Sequence, residues 1–280
     1  MRFNSQFDAS LHHVAFESRD PLRLAEFYSK AMQMELKSYK TGEFRCEGPS
    51  RRIIILSGKS KRLAYAGFAF KSSNSLDELR RHLEADGVAL VKNPSPYFKT
   101  GAFAARDPDG NVICFGIGKP ENKKLSGLHG AIQHLTLATL NVQKIVNFYQ
   151  GKLGFRLVDR VLHSDGSLAT AFLTSNREHN TLAFFKSDLQ GLDHHSYEVG
   201  EWNLIKDWCD HFSRLGIEIV WGPGRHGPGN NLFAFIKDKD ENWIEISAEH
   251  EKIFDRDVMD WPQEPRTLNK WGYALLRSLN

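Results

Sequence analysis

Three residues in the second half of this 280-residue chain, His134, His194 and Glu245, are of types that can hold a divalent metal ion. Each sits in a strand-like run: Gln133-His134-Leu135-Thr136-Leu137, His194-His195-Ser196-Tyr197-Glu198-Val199 and Trp243-Ile244-Glu245-Ile246. Two neutral imidazoles and one carboxylate on one face of an octahedral ion leave three neighbouring positions open. Non-haem Fe(II) oxygenases use this arrangement, which lets a substrate and O2 bind side by side. The three residues are 60 and 51 positions apart (194 − 134 and 245 − 194), so only the fold can bring them together. His194 and His195 would point to opposite faces of a strand. Counting back from Tyr197-Glu198-Val199 favours His194 as the candidate ligand.

The chain carries its own control, because its halves repeat. Leu11–Leu36 aligns with Ile132–Leu157 at a constant offset of 121, placing His13 on His134 and Phe27-Tyr28 on Phe148-Tyr149. Asp107–Gly116 aligns with Asp238–Ser247 at an offset of 131. The positions matching the three candidate ligands are His13, Tyr65 and Cys114. One of the three keeps a ligand type, so the first half is expected to be a metal-free scaffold.

The elements needed to position these residues recur in the same order. In the second half Ile132–Ala138 alternates as a strand, and Asn141–Lys152 has helical apolar spacing. Strand-like runs follow at Gly154–Leu162, Ala169–Leu173 and Thr181–Phe185. The cycle then restarts with a strand at His194–Val199, a helix at Leu204–Leu215 closed by Gly216, and a strand at Ile217–Trp221. A Gly/Pro loop spans Gly222–Asn231, and strands at Leu232–Ile236 and Trp243–Ser247 flank a turn. The first half shows a helix from Asp20-Pro21 to Met32, a second at Leu76–Ala85 and a hairpin turn at Asp107–Asn111. The expected fold is α+β, four βαβββ modules in two tandem domains. The domains are residues 1–122 and 130–250, followed by a tail at 251–280. The polar joint runs from Lys119 to Gly130. The tail has no counterpart in the first half; a short helix is expected at Tyr273–Leu279, and its aromatics should pack on the body or a neighbouring subunit, with a lid over a site as the alternative.

Composition narrows the function class. A net charge of +3, with no long Lys/Arg block, gives no footprint for nucleic acid. No apolar run approaches the roughly 20 residues of a membrane span. Three scattered cysteines without a CxxC pair argue against a disulfide framework and fit a reducing cytoplasm.

From about residue 11 to 250 the chain resembles the type I extradiol catechol dioxygenases of the vicinal oxygen chelate superfamily. The carriers are the ordered runs around His134, His194 and Glu245, the last after the turn Asp238-Lys239-Asp240-Glu241-Asn242. His179-Asn180-Thr181-Leu182-Ala183 matches the strand that bears the family's acid–base histidine, and Gly222-Pro223-Gly224-Arg225-His226-Gly227 matches its substrate-contacting turn. The resemblance implies two similar domains with metal in the second only: Fe(II), or alternatively Mn(II), on His134, His194 and Glu245. It implies that His179 is a general acid–base and that His226 contacts substrate. The substrates would be a small aromatic diol and O2, and the assembly a homo-oligomer. Phe235 stands where several members have tyrosine. Trp221, Phe185 and Asn230 are candidates for the pocket wall. Two alternatives share the scaffold, a glyoxalase-like lyase or isomerase and a non-catalytic small-molecule binder. The first draws ligands from both modules or both halves, which the loss at Tyr65 and Cys114 opposes. The second has no need of the triad.

Overall fold

The structure, a computed structural model, describes residues 8–121 and 127–275. The first half contributes strands β1 (Ala9–Ser18), β2 (Glu35–Lys40), β3 (Glu43–Gly48), β4 (Arg51–Ser57), β5 (Arg62–Phe70), β6 (Leu90–Lys92), β7 (Phe103–Arg106) and β8 (Val112–Ile117). Helix α1 (Pro21–Ala31) follows β1 and α2 (Ser73–Ala85) follows β5. The second half repeats the order with β9 (Ala131–Thr139), α3 (Val142–Gly151), β10 (Arg156–Leu162), β11 (Leu168–Thr174), β12 (Leu182–Lys186) and β13 (Gly191–Glu198). It continues with α4 (Trp202–Arg214), β14 (Trp221–Arg225), β15 (Leu232–Lys237) and β16 (Trp243–Ala248), then adds β17 (Met259–Pro262) and α5 (Pro265–Leu268).

The described residues form an eight-stranded sheet, β2-β3-β4-β1-β5-β8-β7-β6, and a nine-stranded sheet, β14-β15-β16-β13-β9-β12-β11-β10-β17. Read from the opposite edge, the first order is the second without β17. In each half two βαβββ modules meet through a central antiparallel pair, β1 with β5 and β9 with β13. Parallel partners flank the pair: β4 and β8 in one sheet, β12 and β16 in the other. This is the fold expected from the repeat.

The helices begin where the local chemistry supplies caps. The Asp20 carboxylate accepts the Arg23 N–H at 3.1 Å, and its repeat partner Asn141 accepts the Lys144 N–H at 2.9 Å. The apolar faces of the helices cover one face of each sheet. The two halves share one continuous hydrophobic core, which includes Leu24, Tyr28, Phe68, Tyr149, Phe155 and Trp208. Two reciprocal bonds cross between the halves. Tyr28 of α1 donates to Asp238 Oδ2 at 2.8 Å, and its counterpart Tyr149 of α3 donates to Asp107 Oδ2 at 3.1 Å. Each aspartate's other oxygen accepts two backbone N–H groups of its own hairpin turn. Burial raises both carboxyls above the usual carboxylate range, against the pull of these donors.

Two segments differ from expectation. The strand at Ile217–Trp221 begins instead at Trp221 and runs through Gly222-Pro223-Gly224 to Arg225. It lies at the sheet edge, where proline costs no ladder bond, and a bulge between Trp221 and Gly224 absorbs the extra residue. Gly222 has φ +94°, and a Cβ there would sit 2.7 Å from the Phe233 carbonyl oxygen. The tail forms β17 beside β10 and the single turn α5, while Tyr273–Leu275 is not helical. The rest of that expected helix, 276–279, and joint residues 122–126 lie outside the described residues.

The Tyr28 bond predicts a measurable cost. Tyr28→Phe should destabilise the protein by about 1–3 kcal/mol in urea unfolding, because the buried Asp238 Oδ2 then keeps only Asn242 of its two side-chain donors. A stability unchanged within error would show that the cross-half bond contributes nothing.

Candidate metal centre

Register brings the three candidate ligands together. Ser196 on β13 pairs with His134 on β9 and with Glu245 on β16, so these three residues share a row and a face. His194, two residues back along β13, lies on the same face. His195 lies on the opposite face, with its Nε2 3.0 Å from the Tyr28 hydroxyl and its ring against Phe16. Burial there lowers the His195 pKa to about 3.

The donor atoms converge. His134 Nε2 lies 3.0 Å from Glu245 Oε2 and 3.2 Å from His194 Nε2, and His194 Nε2 lies 3.5 Å from the same carboxylate oxygen. The far side of each ring explains the tautomer. Gln133 Nε2 donates to the Asn180 carbonyl at 2.6 Å, which turns Gln133 Oε1 toward His134 Nδ1, also at 2.6 Å. Asp193 Oδ2 stands 2.6 Å from His194 Nδ1. Both Nδ1 atoms therefore donate, so that in their neutral forms both rings present the Nε2 lone pair toward a buried carboxylate. Burial alone would raise the Glu245 pKa. Positive charge on the nearby His134, with help from His226 and His194, reverses this and holds it well below the usual range, a role that a bound cation would take over when it displaces the imidazole protons. Asn231 Nδ2 donates to the other carboxylate oxygen, Oε1, at 3.1 Å. Once deprotonated, three lone-pair donors facing one point would repel one another unless a cation lay between them, so the donor set fits a divalent metal. Among the described residues, His134, His194 and Glu245 are the one group of this kind.

The first half shows what the same positions become without a ligand set. Gly67 pairs with His13 and with Cys114, and Tyr65 pairs with Ala15, repeating the second-half register. Tyr97 and Phe98 pack on the His13 ring at 5.3 and 5.0 Å, closing the space with apolar surface. Burial holds His13 well below its usual pKa and pushes the Cys114 thiol up to about 12.

The triad lies at the wall of a cavity. His226 reaches this cavity from the Gly/Pro segment. Its Nδ1 lies 2.5 Å from the Leu268 carbonyl oxygen, so Nδ1 donates, and its Nε2 lies 3.6 Å from Glu245 Oε1. Trp221, Phe185 and Phe235 line the cavity, whereas Asn230 is exposed and its neighbour Asn231 takes the lining position. His179 stands behind the wall. Its Nε2 is 2.9 Å from Asp159 Oδ2, and Asn180 Oδ1 lies 3.1 Å from its Nδ1. Arg256 and Trp261 also hold Asp159, at 2.9 and 3.0 Å.

Sequence reasoning passed over several wall residues. His250 lines the cavity with its ring 5.5 Å from that of His134. It lies 3.2 Å from Asn180 Oδ1 and 3.4 Å from Glu198 Oε2. Thr136 is two residues from His134 on β9, and Asn180 is next to His179, just before β12. Thr267, Leu268 and Leu275 of the tail also line the cavity, but no repeat partner could point to them.

Comparison with known proteins agrees with this geometry. The sequence profile of the Glyoxalase/Bleomycin resistance protein/Dioxygenase superfamily matches residues 10–115 and 131–246. Metapyrocatechase 2 of Cupriavidus necator is 30% identical over 219 residues, 70% of this chain and 67% of the relative. The homoprotocatechuate 2,3-dioxygenase of Brevibacterium fuscum, solved with 3,4-dihydroxyphenylacetate, superposes with TM-score 0.81 at 19% identity, covering 97% of this chain and 91% of that one. A Mn(II)-bound glyoxalase from Novosphingobium aromaticivorans gives 0.80 at 22%, covering 94% and 90%. These structural likenesses concern the fold; the profile match over both halves and the metapyrocatechase relative place the chain in a family. The chain belongs to the glyoxalase/bleomycin resistance protein/dioxygenase superfamily and, within it, to the extradiol catechol dioxygenases.

Proposed function

We propose that this protein opens the ring of a catechol-type diol beside its two hydroxyls, using O2, at Fe(II) or alternatively Mn(II) held by His134, His194 and Glu245. The observation that carries this reading is the convergence of two imidazoles and one carboxylate, their ligand atoms within 4.8 Å of one another, on one side of a cavity whose other walls are largely apolar. A divalent metal bound there would acidify the diol hydroxyls and give O2 a place beside the ring. Gln133 and Asp193 hold the two imidazoles in the tautomer a metal requires, and Asn231 fixes the carboxylate. His226, with Nδ1 committed to Leu268, presents Nε2 to accept a substrate hydroxyl proton. His179, backed by Asp159, is the reserve proton carrier in this reading, and Asn180 stands between it and His250. A cytoplasmic, homo-oligomeric enzyme of aromatic catabolism completes the proposal.

The direct test is to load the purified protein with Fe(II) without oxygen, then supply catechol, 3-methylcatechol or 2,3-dihydroxybiphenyl and O2. A yellow ring-opened product with matching O2 uptake is expected; neither product nor bound metal would refute the reading. His194→Ala should abolish metal binding, while His195→Ala should keep the metal stoichiometry and lose stability as the Tyr28 hydroxyl loses its partner. Equal metal retention in both variants would overturn the choice of His194. Replacing His179 or His226 with Ala should lower kcat by about 100-fold or more with metal still bound. Asp159→Asn should add little to His179→Ala if the two act as a unit. Fully multiplicative losses would separate them.

A further inference from the structure

We infer that Thr136 is a substrate-contacting residue, its hydroxyl donating to an oxygen of the diol once His194 Nε2 is committed to a metal. The inference rests on the ring-cleavage reading and extends it to a residue that positions the diol. Thr136 lies on β9 two residues from His134, on the same face of the strand, and lines the cavity. It is paired across the sheet with His194, and its Oγ1 lies 3.0 Å from His194 Nε2. The hydroxyl is thus beside the point where the three candidate ligands converge. The repeat supplies a control. The matching residue of the first half is Ala15, buried opposite Tyr65 at the same register. The fold therefore accepts a bare methyl group at this position, and the hydroxyl stands in the half that carries the two imidazoles and the carboxylate.

A hydroxyl buried in this way needs a partner. Thr136 is 6% exposed, and its hydroxyl is hydrogen-bonded to His194 Nε2. The hydroxyl and a metal cannot both use the one lone pair of Nε2, so the hydroxyl is released to the cavity when a metal is bound. A diol whose hydroxyls are acidified there brings negatively charged oxygens to the same wall. A hydrogen bond to a charged oxygen is roughly twice as strong as one to a neutral oxygen. Thr136 thereby favours the ionised diol over the water that it displaces.

The test compares wild type with Thr136→Val, which keeps the shape and removes the hydroxyl, and with Thr136→Ser, which keeps the hydroxyl. Two affinities are measured without turnover: that of Fe(II), by anaerobic equilibrium dialysis, and that of 4-methylcatechol for the Fe(II)-loaded protein without O2, by absorbance titration. Thr136→Val is expected to hold Fe(II) at least as tightly as wild type and to bind the diol more weakly by about 10-fold or more, while Thr136→Ser stays within about 2-fold of wild type in both. A residue that merely packs would loosen metal and diol together, and that outcome would overturn the inference. An unchanged diol affinity in Thr136→Val would do the same, as would a failure of Thr136→Ser to restore it. If the loaded wild-type protein does not bind the diol at all, the ring-cleavage reading fails, and the inference with it.

Discussion

A carboxylate buried between two imidazole nitrogens is the constraint around which the second half is arranged. Glu245 is almost wholly removed from solvent, and the Nε2 atoms of His134 and His194 lie 3.0 and 3.5 Å from its Oε2. Such a cluster persists only if a cation joins it or the surroundings impose it. The surroundings here are specific: Gln133, Asp193 and Asn231 each fix one member by a hydrogen bond, and three adjacent strands fix the spacing. The cavity, its apolar lining and the inward His226 are arranged about that point.

Duplication explains how one half can carry this arrangement. The first half repeats the register and fills the equivalent space with Tyr97 and Phe98. Its contribution is mechanical. Tyr28 spans the shared core to the turn that precedes the Glu245 strand, and it also meets His195, the residue next to a candidate ligand. Tyr149 makes the return bond to Asp107. The face of β13 behind the ligands is thus held by the half that lacks them.

The tail adds what the repeat does not contain. Its strand extends the second sheet, and Trp261 and Arg256 fasten Asp159 behind His179. The following turn supplies the Leu268 carbonyl that sets the His226 tautomer, and Thr267, Leu268 and Leu275 close the cavity on that side. Substrate access and the orientation of a contacting imidazole therefore share one structural element.

The sequence alone determined the two-half architecture, the identity of the three candidate ligands and their restriction to the second half. These follow from residue types at matched offsets, which local patterning preserves; the alternation in His194–Val199 was enough to favour His194 over His195. The edge strand hidden in Trp221–Arg225 was not legible, because its pairing overrides the loop preference of glycine and proline. His250, Asn231 and the tail residues escaped for a different reason. Each belongs to a separate segment whose side chain reaches the cavity only after the sheet closes, and nothing local marks that direction. The position of His179 behind the wall, and the contact of Thr136 with His194, are properties of packing. Only the tertiary structure decides them, because they depend on which chains meet in space rather than on which residues follow one another.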